Sequence, residues 1–237
     1  MDISNLLGAL RDARIVDLSQ ALEEHMPHFP THSMFFHNLW GSYWYGGRSL
    51  SYQLVMHEHN GTHVDAPAHF ISEAKPEAHL TIDRVPVARL MGRGVRLDCR
   101  GSKETDYVSE PQIRDWESRH GALEAGDIVI FDFGWSGRWA LRPHDRPYVE
   151  RWPGVSMEAA QYLISKPVAA LGVDTLSPDP PEALASNPIH PVVLEKQILI
   201  IENLTNLGVL PDFFLFVALP LKIRAGSGSP IRAVALF

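Results

Sequence analysis

The sequence has one cysteine and no long hydrophobic run, and these absences exclude several classes of protein. Because Cys99 has no second cysteine to pair with, no intrachain disulfide can form, and we expect the reducing cytoplasm as its compartment. The longest apolar stretch, FFLFVALPLKI, begins at Phe213, contains Pro220 and is far shorter than the ~20 residues that cross a bilayer. We therefore expect no membrane span.

Positive charge is also scarce. The chain has 21 basic and 28 acidic residues, a formal net charge of -7, and no basic run of the kind that follows a phosphate backbone. The first residues, MDISNLLGALRDARIVDLSQ, lack the basic head, apolar segment and cleavage site of a secretion signal. We expect neither a nucleic-acid partner nor a secretion signal.

Short apolar or β-branched runs recur along the chain with helical segments between many of them, which predicts an α/β fold built on a mixed sheet. The predicted strands lie in RIVDLS, RSLSYQLVMHEH, GVRLDC, GDIVIFDF, AALGVDTL, ILIIEN, FFLFVALPL and IRAVALF. One predicted helix follows Ser109, with Gln112 three residues on and Gly121 as its end, and another runs from Ser156 to Pro167.

The length and composition predict one domain over residues 1–237, since 45% of the residues are hydrophobic and no linker divides the chain. Proline and glycine concentrate in a few loops, notably HMPHFP, RWPG, SPDPP and GSGSP. Loops of this kind often carry functional sites.

The stretch HEHNGTHVDAPAHF, residues 57–70, contains four of the twelve histidines. Neighbouring imidazoles repel one another once charged, so this clustering indicates a function. Asn60 and Gly61 disfavour a helix here, and in an extended segment His63 and Asp65 point to the same side. The segment therefore presents an imidazole and a carboxylate together.

The position of His59 depends on the turn that precedes His63. A two-residue turn would pair His59 with Thr62 and would place Glu58 beside His63 and Asp65. A three-residue connection would instead bring His59, His63 and Asp65 together, so Glu58 is the alternative ligand. Two imidazoles and a carboxylate suit Zn, Mn or Fe and leave coordination positions open for water and substrate.

His69 follows the three candidate ligands closely enough to border a metal centre and transfer protons. Any single histidine of the stretch would also be explained as a core or surface residue with satisfied hydrogen bonds. That explanation does not account for the complete pattern HxxxHxDxxxH.

The stretch HNGTHVDAPAH resembles the signature H-x-G-T-H-x-D-x-P-x-H of the cyclase family of metal-dependent hydrolases, which includes bacterial kynurenine formamidase and isatin hydrolase. The segments GVDTLSPD, HPVVLEKQILIIENLTNLGVLP and LPLKIRAGSGSPIRAVALF resemble the family too. The resemblance implies a single-domain, mixed-sheet swivelling β/β/α fold and a homodimer or homotetramer. It also implies that His59, His63 and Asp65 bind the metal and that His69 is the catalytic histidine.

The resemblance leaves the number of metal ions open. Formamidases hold a second ion through a distal histidine and a glutamate twelve residues later, and His190 and Glu202 keep that spacing. The stretches WESRHG and KIRAGSGSPIR are similar to isatin hydrolases, which work with one manganese and lack that glutamate. We therefore expect one or two ions of Zn or Mn. Without a metal, Glu202 would pair at a sheet edge and His190 would be a loop residue.

An aromatic stretch, MFFHNLWGSYWYGG, precedes the histidine cluster. We predict that Phe36, Trp40 and Trp44, together with Trp135 in FDFGWSGRW, bind a small aromatic or cyclic substrate, because aromatic faces stack on rings. The alternative is that the stretch forms a subunit interface or a lid. Substrate binding and an interface are compatible if the stretch lines the pocket of a neighbouring subunit. Asp174, at the end of a predicted strand, is expected to orient a ligating histidine.

Together these features predict a hydrolase in which metal-activated water cleaves an amide bond, in a lactam or an N-formyl aryl amine. A lactone hydrolase of the same family is the alternative. His63-Val64-Asp65 also matches part of a non-heme iron oxygenase triad, but that function leaves His59 and His69 without a role. A non-catalytic metal-binding protein is disfavoured by His69 beside the three ligands.

Overall fold

Twelve strands and six helices follow one another in the computed structural model, which describes residues 2–237. The strands are β1 (Ile15–Asp17), β2 (Phe36–Gly41), β3 (Ser51–Val55), β4 (His63–Asp65), β5 (Met91–Asp98), β6 (Tyr107–Val108), β7 (Ile128–Asp132), β8 (Gly154–Val155), β9 (Ala170–Val173), β10 (Leu199–Glu202), β11 (Phe213–Pro220) and β12 (Gly228–Leu236). The helices are α1 (Ile3–Asp12), α2 (Glu110–His120), α3 (Arg146–Val149), α4 (Met157–Ser165), α5 (Pro181–Ser186) and α6 (His190–Glu195).

Seven of the strands close into a mixed barrel. Their order is β12, β11, β5, β7, β9, β10 and β4, and β4 pairs again with β12. The neighbours among β5, β7, β9 and β10 are parallel, whereas the other pairs in the ring are antiparallel. Closure gives each strand of the ring a partner on both sides, which satisfies the backbone polar groups of the buried sheet.

Side chains alternate between two cores because successive residues of a strand point to opposite faces. In β7, Ile128 and Ile130 belong to the core inside the barrel, with residues from strands all round the ring. Val129 and Phe131 belong to the core between the outer face of the barrel and helices α2, α4 and α6. The mixed α/β class predicted from the sequence is therefore confirmed.

Both helices predicted in detail form with the expected ends. The N-terminus of α2 has the predicted capping box, in which Gln112 Oε1 accepts a hydrogen bond from the Ser109 backbone N–H at 2.8 Å, and Gly121 follows its last residue. At the start of α4, the Ser156 side chain accepts from the Ala159 backbone N–H at 3.2 Å. None of the helices within residues 2–237 has the length and apolar character that crossing a bilayer requires.

The turn predicted before His63 is wrong in both of its versions. β3 pairs with β2 in a separate two-stranded hairpin, whereas β4 pairs with β10 and β12. Residues 56–62 form an irregular loop, so Asn60 and Gly61 do not connect two paired strands. The physical reason is that both edges of β4 are used in closing the barrel, and no edge remains for β3.

Candidate metal centre

The strand register places Glu202 beside His63. β4 and β10 are antiparallel, with Glu202 directly opposite His63 and Ile200 opposite Asp65. Val64 and Ile201 belong to the barrel interior, so their chain neighbours point to the outer face. His63 Nε2 lies 3.2 Å from Glu202 Oε2 and 3.4 Å from Asp65 Oδ1. The outer face of this strand pair thus carries one imidazole between two buried carboxylates.

His190, the first residue of α6, completes the opposite side of this cluster. Its Nε2 lies 3.4 Å from Asp65 Oδ2 and 3.2 Å from Glu202 Oε1. Its Nδ1 lies 2.5 Å from Asp179 Oδ2, and Asp179 also accepts from the backbone N–H groups of Ile189 and His190 at 2.7 and 3.2 Å. Asp179 therefore fixes both the start of α6 and the direction of the His190 ring.

Asp174 does not have the role that the sequence predicted for it. Its carboxylate accepts from the backbone N–H groups of Phe133 and Ser136, both at 3.0 Å, and it orients no histidine. Asp179, in the SPDPP loop, orients the ligand candidate His190 instead. In the sequence, only the proline-rich composition of this loop pointed to Asp179. Its contact with His190 could not be predicted, because it depends on how the loop folds back.

His59 reaches the cluster from the irregular loop. Its Nδ1 lies 2.6 Å from Asp65 Oδ1 and its Nε2 lies 2.9 Å from Ser227 Oγ, which donates in turn to Glu58 Oε2 at 2.7 Å. A Cβ atom at Gly228 would lie 2.5 Å from His59 Cε1, so glycine leaves room for the ring. Glu58, the alternative ligand, points away from the cluster and supports His59 through Ser227.

The hydrogen-bond partners of these three imidazoles indicate what the centre can hold. The outward nitrogen of each ring faces an oxygen acceptor: the Gly61 carbonyl at 2.8 Å from His63 Nδ1, the Asp179 carboxylate for His190, and the Ser227 hydroxyl for His59. A neutral ring with its proton there turns the lone pair of its other nitrogen towards the carboxylates. Such lone pairs and carboxylate oxygens repel one another unless a proton or a cation lies between them.

The electrostatics of the cluster favour positive charge. Burial lowers the pKa of His63, but hydrogen bonds to Asp65 and Glu202 outweigh it and raise that pKa to about 10. Burial raises the pKa of Asp65, yet the charge of His59 and the hydrogen bond from His190 bring it well below its usual value. Nitrogen and oxygen donors in this arrangement fit a divalent cation.

The donor atoms form two overlapping sets. His63, Asp65 and Glu202 offer atoms within 4.8 Å of one another, and so do His59, Asp65 and His69. Asp65 belongs to both sets, as a carboxylate shared between two positions would. The structure thus brings together all six residues that the sequence and the family resemblance singled out, which are His59, His63, Asp65, His69, His190 and Glu202.

His69 lies at the border between the cluster and a cavity. It ends a short 3-10 turn, Pro67–His69, and its ring stacks on His59 with centroids 4.0 Å apart. Burial lowers the pKa of His69 to about 4, although the charge of Asp65 opposes this shift. The ring is therefore neutral near pH 7.

The cavity beside the cluster has a volume of about 200 Å³. Besides the six cluster residues, its walls are Phe29, Thr31, His32, Phe70, Ser177 and Leu184. Across residues 2–237, no lysine or arginine lines this cavity. A cavity of this size suits a small ligand.

The aromatic residues predicted to bind substrate lie elsewhere. Phe36, Trp40 and Trp44 belong to the hairpin of β2 and β3 and to its connecting turn, are exposed, and do not line the cavity. Trp135 packs in the core, 2% exposed, where its Nε1–H donates to the Tyr148 backbone carbonyl at 3.3 Å. The prediction for Trp135 is therefore not supported, because the core encloses its ring.

The remaining cavity walls are formed by residues that the sequence analysis did not single out. Phe29 and His32 lie in or next to the HMPHFP loop, and Phe70 follows the histidine motif. Their only signal in the sequence was the proline-rich loop itself.

Comparisons with known proteins found relatives in sequence and in structure. The model of the family described as "Putative cyclase" matches residues 16–180. Isatin hydrolase from Roseibium aggregatum is 31% identical over 200 residues, which cover 77% of this chain and 73% of that protein. Kynurenine formamidase from Erythrobacter litoralis is 30% identical over 227 residues, 93% of each chain. A crystal structure of an isatin hydrolase bound to the product analogue thioisatinate superposes with a TM-score of 0.91 at 25% identity, covering 100% of this chain and 99% of the other.

Proposed function

The chain belongs to the cyclase family, and we propose that it is a metal-dependent hydrolase that cleaves the amide C–N bond of a small lactam or an N-formyl aryl amine. The observation that carries this proposal is the convergence of three oriented imidazoles and two carboxylates beside a small cavity. We also propose that the closed barrel corresponds to the swivelling β/β/α fold that the resemblance implies.

The residues that would hold the metal are His59, His63, Asp65, His190 and Glu202, with Zn or Mn as the ion. When bound, the cation supplies an activated water and draws electron density from the scissile carbonyl. Asp179, Ser227 and the Gly61 carbonyl keep the imidazoles turned towards it, because each accepts a hydrogen bond from the far ring nitrogen.

His69 is the proposed proton carrier. Its ring is neutral near pH 7, borders the cavity and stacks on His59, and it offers a nitrogen atom within 4.8 Å of donor atoms of His59 and Asp65. It takes a proton released during attack on the carbonyl and passes it to the departing nitrogen. Proton transfer of this kind typically contributes about 10²- to 10⁴-fold to turnover.

Two other chemistries fit less well. A lactone would bind in the same cavity, and the names of the relatives favour an amide over it. An iron oxygenase built on His63 and Asp65 would need two histidines and one carboxylate, whereas the cluster adds Glu202 and a third imidazole.

We further propose a homodimer in which the hairpin of β2 and β3 contacts the second subunit. These two strands pair only with each other among the strands of residues 2–237, and Trp40, Trp44 and Tyr45 are 77, 73 and 83% exposed. Clustered exposed apolar side chains mark interaction surfaces. In such a dimer Phe36, Trp40 and Trp44 would wall the partner's cavity, which keeps their proposed role in substrate binding.

The test of the function is a hydrolysis panel on protein reconstituted separately with Zn and Mn. The panel contains isatin, N-formylkynurenine, small imides and small lactones. We expect metal-dependent turnover of at least one amide and weaker turnover of the lactones. Turnover that persists in His63→Ala, or no amide hydrolysis with either metal, would contradict the proposal.

A further inference from the structure

Asn203 connects the end of β10 to the loop that leads into β4. The backbone pairing of these two strands ends at Glu202 and His63, and Asn203 is the next residue of the chain. Its backbone turns into the left-handed region, with φ 59°, which asparagine adopts more readily than most side chains. The side chain of Asn203 therefore continues the contact between the two strands where their backbone pairing stops.

Two groups of Asn203 hold consecutive residues of the loop. Its Nδ2 donates to the Gly61 carbonyl at 2.9 Å, and its backbone carbonyl accepts from the Thr62 hydroxyl at 2.6 Å. All three residues are buried. The two residues that precede His63 are therefore fixed by the residue that follows Glu202.

The Gly61 carbonyl receives two hydrogen bonds. One comes from Asn203 Nδ2 and the other from His63 Nδ1, at 2.8 Å. A carbonyl oxygen has two lone pairs, so each donor has its own. Because the Nδ1–H of His63 points at this oxygen, the place where Asn203 holds the carbonyl sets the direction of the imidazole.

Tyr148 fixes the orientation of the Asn203 amide. Its hydroxyl, which is fully buried, donates to Asn203 Oδ1 at 2.8 Å and also lies 3.1 Å from the Asp174 carbonyl. Burial raises the pKa of Tyr148 well above its usual value, so the hydroxyl keeps its proton. A reversed amide would place Oδ1 against the Gly61 carbonyl, where two acceptors would face each other without a proton.

We propose that Asn203 is a positioning residue that sets the spacing between two donors of the metal centre, His63 and Glu202. It acts on His63 through the Gly61 carbonyl and on Glu202 through the chain, and it lies outside the residues that line the cavity. The two donor atoms, His63 Nε2 and Glu202 Oε2, are 3.2 Å apart. This inference rests on the metal centre of the proposed function and adds the residue that holds these two donors in register.

The test measures Co²⁺ binding by visible absorption, because the bands of this ion depend on the geometry of its ligands. Asn203→Gly keeps the left-handed backbone and removes the amide, whereas Asn203→Asp turns an acceptor towards the Gly61 carbonyl. We expect both variants to bind Co²⁺ about 10- to 100-fold more weakly than wild type, with shifted absorption bands. Tyr148→Phe, which leaves the amide in place, should shift the affinity and the bands in the same direction by less.

Asn206 offers a matched control. It is also left-handed, with φ 58°, and its Nδ2 donates to the Asp17 carbonyl at 2.8 Å in an exposed position. Asn206→Gly should therefore leave Co²⁺ affinity and absorption bands unchanged. Urea denaturation of each metal-free variant measures its stability separately, because a residue with only a structural role would lower stability without changing how the folded protein binds Co²⁺.

The outcomes separate this inference from the proposed function. Wild-type Co²⁺ affinity and bands in both Asn203 variants would overturn the positioning role even if the protein hydrolyses amides. Equal changes in Asn206→Gly would overturn it as well. If neither Asn203 variant folds, unchanged affinity and bands in Tyr148→Phe would decide against it. Weaker Co²⁺ binding and shifted bands in the Asn203 variants of a protein that hydrolyses no amide would overturn the proposed function alone.

Discussion

Glu202 lies directly opposite His63 in the antiparallel pair of β10 and β4, with its Oε2 3.2 Å from His63 Nε2 and its Oε1 3.2 Å from His190 Nε2. One carboxylate thus joins imidazoles from a strand and a helix that are far apart in the sequence. From the sequence, Glu202 was either a residue at a sheet edge or part of a second metal position. Its burial in the cluster places it at the centre.

The first prediction concerns this carboxylate. Glu202→Gln keeps the shape of the side chain but removes the negative charge between His63 and His190, so we expect the bound metal to fall by one equivalent per chain. The measurement is metal content by mass spectrometry after dialysis against trace chelator. Glu124→Gln, on a side chain that is 70% exposed, serves as the control. Undiminished metal in Glu202→Gln would show that this carboxylate is not a ligand.

The second prediction distinguishes a proton carrier from a ligand at His69. We expect His69→Ala to keep its metal and to lose about 10²- to 10⁴-fold in kcat. The ring borders the cavity, and within residues 2–237 neither of its nitrogens is held by an oxygen acceptor of the kind that orients each proposed ligand histidine. Metal analysis and steady-state kinetics on the same preparation test this. Loss of metal together with activity would make His69 a ligand, and unchanged kcat would remove it from the mechanism.

Local spacing was enough to find part of the site from the sequence. His63 and Asp65 share a face because they are two residues apart in an extended segment, and β4 is indeed a strand. The partners of that strand could not be predicted, because the register of β4 against β10 depends on closure of the whole barrel. His190 and Glu202 were reached only through the family resemblance.

The supporting residues were beyond sequence reasoning for a similar physical reason. Ser227 and His59 are 168 residues apart in the chain, and Asp179 meets His190 only because the SPDPP loop folds against α6. Loop composition indicated where such residues would lie but not which atoms they contact. Trp135 was misplaced because a strand end followed by an aromatic residue fits a pocket wall and a core position equally well.

The third prediction tests the orientation of His190 by Asp179. Asp179→Asn keeps the size of the side chain but weakens its charge-assisted hydrogen bond to Nδ1, so we expect metal affinity to fall about 10- to 100-fold. Competition with a metal-binding dye measures the affinity. Asp174→Asn is a useful comparison, because Asp174 is equally buried and orients no histidine. Equal metal affinity in wild type and Asp179→Asn would contradict the prediction.

The fourth prediction concerns the pH dependence of stability. Burial raises the pKa of Asp174 to about 7. The hydrogen bond from the Ser136 N–H opposes this shift, and the charge of Asp132 adds to it. In the unfolded chain the pKa is about 3.9. Between these values the folded state binds more protons than the unfolded state, so this group's contribution to the free energy of unfolding decreases as the pH rises from about 4 to 7. Above that window it stays constant.

Asp174→Asn removes this titration. The variant loses an acceptor for a backbone N–H, so we expect it to be less stable than wild type at about pH 5, and the difference should narrow by about pH 8. Urea denaturation at both pH values measures it. Asp115→Asn, on an exposed side chain, controls for general charge effects. A difference that does not change with pH would show that Asp174 is ionised throughout.

The fifth prediction tests the hairpin of β2 and β3 as the subunit interface. Trp40 and Trp44 expose large aromatic faces on a hairpin whose two strands, within residues 2–237, pair only with each other. Clustered exposed apolar side chains of this kind mark interaction surfaces. We expect wild type to be a dimer by light scattering after gel filtration, and Trp40→Ser combined with Trp44→Ser to shift it towards monomer. Val87→Ser, an apolar residue that is 62% exposed elsewhere on the surface, should leave the dimer intact. If the aromatic residues also line the partner's cavity, KM of the double variant will rise as its dimer dissociates. Raising the protein concentration will then restore both the dimer and the wild-type KM. A monomeric wild type would contradict the proposed dimer, and a double variant that remains dimeric with unchanged KM would place the interface elsewhere.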